Sequence, residues 1–159
     1  MVINGSGKWT EWPQILDVQE YPDEESQKKA KEACYYEACL LNASSNYLGD
    51  EAELIFEEGE PGEGHTRCFF TGCVKIEFDF WPTHPKHVPY RNARNCWLQW
   101  LFITKIVVAP TNKEDPFVGT YFQCKIDAFP LDVKIWCKTI TFSRVFADGT
   151  MKELHHLTI

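Results

Sequence analysis

Eight side chains capable of joint chemistry fall in one stretch: Trp81, His84, His87, Tyr90, Arg91, Arg94, Trp97 and Trp100. Aromatic rings beside cations bind anionic or planar ligands, or stack nucleotides. The same residue types anchor protein interfaces. Pro82 to Arg94 holds three prolines and no hydrophobic period, which reads as a loop. Loops of this length within a compact domain more often carry function than merely connect. The competing reading is core tryptophans beside a solvated cationic loop. We take the eight residues as the expected binding surface.

Other chemistries find less support. Cys34-x4-Cys39 and Cys68-x4-Cys73 lack the C-x2-C spacing of zinc knuckles. On a helix, positions i and i+5 stand about 500° apart and share no narrow face. On a strand they point to opposite sides, unless a bulge at Gly72 restores them. His84, His87 and the pair His155-His156 complete no ligand set, so neither a metal nor a cofactor is expected. Nucleophilic catalysis needs Cys or Ser beside a His with an orienting acid. Seven Cys, five His and 23 acids permit so many pairings that no one pairing is informative. His65 and Asp127 serve as the testable acid–base pair.

A net charge of −7 disfavours nucleic acid as a partner. The charge is uneven: residues 1–63 hold 15 acidic and 4 basic residues, residues 64–159 hold 8 and 12. The plain reading is a solvated acidic helix beside a mildly basic sheet. No run reaches the roughly 18–20 apolar residues of a membrane span, and Met1–Gly7 has no apolar stretch of a signal peptide. The odd count of seven cysteines, most of them within apolar runs, favours reduced core thiols. An intracellular protein of cytoplasm or nucleus is expected, although two sequons, at Asn4 and Asn42, point the other way.

These residues must be positioned by a small set of elements. A single domain over 1–159 is expected: an extended arm over 1–21, a helix over 22–46 and an antiparallel sheet over 51–159. Asp23 can cap the helix, with Glu24 and Glu25 in its first turn. Its expected buried face is Ala30, Cys34, Ala38 and Leu41. Strand patterns follow over Ala52–Glu57, Thr66–Trp81, Trp97–Val108, Phe117–Ala128, Val133–Phe146 and Met151–Ile159. Asp148-Gly149 marks a hairpin turn and Gly72 a bend within its strand. The expected class is α+β: one long N-terminal helix packed on a strongly curved antiparallel sheet.

Arm, helix, then a meander of strands resembles the cystatin-like roll. The segments Ala33-Cys34-Tyr35-Tyr36, Cys68-Phe69-Phe70-Thr71, Tyr121-Phe122-Gln123-Cys124 and Val133-Lys134-Ile135-Trp136-Cys137 resemble plant domains of the DUF3615 type. That family implies no established chemistry. The Gln-x-Val-x-Gly hairpin and Pro-Trp turn of protease-inhibiting cystatins are absent, so protease inhibition is not implied. The expected function is a non-enzymatic binding module whose partner is another protein, with no membrane involved. The alternative is a small-molecule-binding cone or barrel with NTF2-like isomerase, cyclase or dehydratase activity. A filled core favours the module, an enclosed polar cavity the cone.

Overall fold

The computed structural model describes residues 2–3, 9–10, 17–34, 36–57, 64–80, 96–111, 113–115 and 117–159. In chain order the elements are β1 (Val2–Ile3), β2 (Trp9–Thr10), β3 (Asp17–Pro22), α1 (Glu24–Ala33), β4 (Leu40–Ser45), β5 (Glu51–Glu57), β6 (His65–Thr71), β7 (Lys75–Phe80), β8 (Trp97–Ala109), β9 (Gly119–Phe129), β10 (Leu131–Cys137), β11 (Thr139–Val145) and β12 (Met151–Thr158). The main strands form two five-stranded sheets, ordered β3-β8-β9-β10-β7 and β12-β11-β6-β5-β4. All their pairings are antiparallel. A separate pair, β1 with β2, precedes them.

The two sheets share one bent ribbon. β6 runs into β7 while its partner β10 runs into β11, so the same two stretches of chain pair in both sheets. At the crossing Gly72, Cys73 and Val74 oppose only Cys137 and Lys138, between the pairs Thr71↔Thr139 and Lys75↔Trp136. An extra residue on one side bends a ladder. Gly72 takes φ +62°, and a Cβ there would lie 2.9 Å from Lys138 Cβ, so glycine is required. The bend read at Gly72 is thus the point where the chain changes sheets.

The inner faces pack on each other. Leu54, Phe56, Phe70 and Phe142 of one sheet and Ile103, Phe122 and Ile135 of the other are at most 1% exposed and belong to a single cluster. Ala30 and Ala33 of α1 join it. A second, smaller cluster of Ile106, Val108, Tyr121 and Trp136 covers one end of the first sheet's outer face. Burial of this kind stabilises by about 25 cal/mol per Å² of apolar surface.

The expected class is corrected: the protein is mainly β, with two sheets and one short helix, and is not a cystatin-like roll. α1 has ten residues and stops at Ala33; Cys34 is already extended (φ −122°, ψ 129°). Glu37 then takes φ +63°, and the chain continues as a strand where helix was expected. The reason is pairing. Glu37 N–H donates to Leu98 O (2.7 Å), Leu98 N–H to Ala38 O (2.9 Å) and Leu40 N–H to Cys96 O (2.8 Å). Asn42, Ser44 and Ser45 gain little from a helix, because their side chains compete for backbone hydrogen bonds. Of the expected helical face, Ala30 is buried on α1 and Cys34 half-buried just beyond it, whereas Ala38 and Leu41 lie in the strand region. The end of the arm adds β3 as an edge strand.

α1 seals an edge. β3 pairs with β8 only from Thr104 onward, and the segment Glu37–Leu40 reaches only Cys96 and Leu98, so the stretch of β8 between them needs another partner along this edge. The Gln27 side chain substitutes for a strand: its Nε2 donates to Leu101 O (2.8 Å) and its Oε1 accepts from Ile103 N–H (2.6 Å). Asp23 stands at the N-cap position, accepts from the Ser26 hydroxyl (2.6 Å) and meets Lys105 (3.2 Å). Burial raises its pKa, but the Ser26 hydroxyl and the Lys105 ammonium outweigh it, leaving the carboxyl below its ordinary value.

Candidate functional site

Side-chain alternation from the ladder sorts the first sheet's outer face into rows. Trp97 pairs with Phe129. A β-bulge between Leu98 and Trp100 keeps Trp100 on this face, beside Asp127. Asp127 pairs with Asp132, and Asp132 with Asp79 of the edge strand β7. Three aspartates from three strands thus line up and end against a tryptophan ring. The next row is Phe102, Lys125, Lys134 and Glu77.

Large rings here stay in solvent: Trp97 is 47% exposed, Trp100 41%, Phe102 44% and Phe129 42%. Trp100 and Phe102 meet edge-on with centroids 6.3 Å apart. A groove of about 340 Å³ runs between Trp100 and the carboxylates of Asp79, Asp127 and Asp132, with Glu77, Lys125 and Lys134 along its other side. Its side chains carry four carboxylates against two ammonium groups. Lys125 and Glu20 approach to 3.8 Å, and Lys75 and Glu77 to 2.8 Å. Burial, then repulsion by Lys75 and Lys125, holds Lys134 below its ordinary pKa. Asp127 Oδ1 is shielded from solvent and has no hydrogen-bond partner among the described residues.

Of the eight residues expected at the binding surface, Trp97 and Trp100 fall on this face. Trp81, His84, His87, Tyr90, Arg91 and Arg94 lie outside the described residues. Phe102, Phe129, Asp79 and Asp132 were missed by sequence reasoning. For Asp79 and Asp132 the only local signal is an acid at an outward strand position, and for Phe102 and Phe129 an aromatic ring within a strand pattern; the row exists only once the register is known. Asp127 had been singled out as an acid–base partner of His65. The structure separates them, with His65 on β6 of the second sheet and Asp127 on β9 of the first.

The thiols are placed as core groups. Six of the seven cysteines are buried. Burial, with help from Asp50, pushes the Cys73 thiol up to about 12. Burial also raises Cys124 and Cys137 well above the ordinary thiol value. A thiol held protonated is a poor nucleophile. Among the described residues no three His, Cys, Asp or Glu side chains are grouped to hold a metal ion. No helix among them is long and apolar enough to cross a membrane.

A packed interior and an outer face of exposed rings among carboxylates define a two-sheet β protein whose distinctive chemistry lies on its surface. Residues 23–144, more than half of the chain, match the family model described as Immunity protein PIM7. The chain belongs to that immunity-protein family. No curated protein matches it. Family membership overturns the resemblance to DUF3615-type domains and the plant assignment that came with it. It also puts the role in the class of protein–protein interaction.

Proposed function

We propose that this protein neutralises a toxin by binding it, without chemistry of its own. The observation that carries this reading is the match over residues 23–144 to an immunity-protein family. The packed interior supports it: Phe56, Phe70, Phe122 and Phe142 fill the space between the sheets that a substrate cone would need open. The binding then falls to the outer surface. We place its action inside the cell, in keeping with seven cysteines that form no disulfide.

A cell needs such a protein only where it makes or meets the toxin, so toxins encoded in the source genome form the test panel. Each is expressed under an inducible promoter with and without this chain. One toxin's growth arrest should be relieved, and that toxin should co-elute with the chain as a stoichiometric complex. Relief without a complex would replace binding by an indirect effect. No relief across the panel would remove the immunity reading.

A further inference from the structure

We infer that the outer face of the first sheet is the docking surface, and that the partner protein seats a basic side chain in the groove against Trp100. This rests on the reading above that the protein works by holding another protein. Three observations carry it. Trp100 and Phe102 are large rings left more than two-fifths exposed on neighbouring outward positions of β8, and exposed aromatics of this size mark interaction sites. The wall facing Trp100 is acidic, formed by Asp79, Asp127 and Asp132 from three adjacent strands. One oxygen of Asp127 is shielded yet has no donor among the described residues, which a guanidinium or ammonium entering the groove would supply.

The geometry sets the sign of the guest. A cation over the Trp100 ring gains cation–π attraction on one side and charge-assisted hydrogen bonds on the other. An anion would meet the aspartate row at close range. The lysine row does not reverse this: Lys125 approaches Glu20, Lys134 stands opposite Glu77 in the ladder, and the two ammonium groups share the groove with four carboxylates. Among the described residues, the strands of the second sheet carry no exposed tryptophan, tyrosine or phenylalanine. There Arg67 is held by Glu53 and lies over the Phe69 ring at 4.4 Å, and the Thr71 and Thr139 hydroxyls bond each other.

The experiment has two arms. In the first, isotope-labelled protein is titrated with the peptide acetyl-(Arg-Gly)3-amide and, separately, with its glutamate counterpart, while amide and indole resonances are followed. The arginine peptide should shift Trp100, Asp127 and Asp132. Those shifts should shrink at high salt and in the Asp127→Asn/Asp132→Asn variant. Shifts on the second sheet, or equal shifts with both peptides, would overturn the assignment.

In the second arm, variants meet the toxin identified by the growth assay. Trp100→Ala should weaken its binding about 30-fold or more. The double Asn variant should weaken it about tenfold, mainly through slower association that no longer depends on salt. Circular dichroism melting checks that each variant is folded. Protection by wild type with unchanged binding of both variants would leave immunity standing and remove this surface. If no toxin is found, the peptide arm decides the surface alone. Self-association of the free protein that Trp100→Ala abolishes would make the face a contact between copies and overturn the basic partner.

Discussion

The two sheets share a core and a ribbon, yet their outer faces differ. On the second sheet, side chains satisfy one another: Glu53 with Arg67, Arg67 with Phe69, Thr71 with Thr139, and Thr141 with His156. On the first sheet the face is divided. At one end Trp136 is 1% exposed among Ile106, Val108 and Tyr121, and its indole N–H donates to Gln123, whose amide in turn donates to Glu20. At the other end rings of similar size remain open beside carboxylates. Two tryptophans on one face of one sheet thus have opposite environments. The comparison separates apolar surface buried in folding from apolar surface left open.

The largest expected effect tests that division directly. Trp136→Ala should cost about 3–5 kcal/mol, as large-to-small changes in packed sites do. Trp100→Ala should cost less than about 1 kcal/mol, as exposed changes do. Urea denaturation of both variants measures the contrast. Equal losses would mean that Trp100 is packed structure and would erase the difference between the two ends.

Next comes the sealed edge of β8, which supports Trp100 and Phe102. Gln27→Ala leaves Leu101 O and Ile103 N–H without their partner and should cost about 1–3 kcal/mol. Amide exchange at Ile103 should accelerate in that variant. Unchanged exchange there would show that something other than Gln27 protects this edge.

The smallest effect belongs to the second sheet. A double-mutant cycle on Glu53→Gln and Arg67→Met should give a coupling of about 1 kcal/mol or less, because both groups are partly exposed. If the proposed docking surface on the first sheet holds, binding of a toxin found by the growth assay should not respond to either change. A loss of binding would move the working surface to the second sheet and invert the comparison.

Much of the strand layout was legible in the sequence. Alternation placed β5, β8, β9 and β12 within a few residues of their observed bounds, and Asp148-Gly149 marked the turn before β12, with Gly149 at φ +85°. The partition into two sheets was not legible. Thr66–Trp81 reads as a single strand because its even-numbered residues face inward on both sides of the crossing, whereas in Val133–Phe146 the inward positions switch from odd (Val133, Ile135, Cys137) to even (Ile140, Phe142) across Lys138, a phase change that the single-strand reading passed over. The helix was read too long because Cys34, Ala38 and Leu41 fit a helical spacing, whereas the hydrogen bonds to Cys96 and Leu98 that claim this segment are made some 60 residues away. Charge misled in a similar way. The half of the chain with excess lysine and arginine supplies Asp79, Asp127 and Asp132, and the register gathers them into one acidic row. Local sequence carries the parity of each side chain; which parities meet is settled by pairings distant along the chain.

The shared ribbon also has a mechanical meaning. β6–β7 and β10–β11 pass through both sheets as continuous covalent chain. A force applied to the first sheet is carried by peptide bonds, and not by side-chain contact alone, into the second. Neither sheet can therefore be peeled away as a separate flap, and a load on one is a load on the whole molecule.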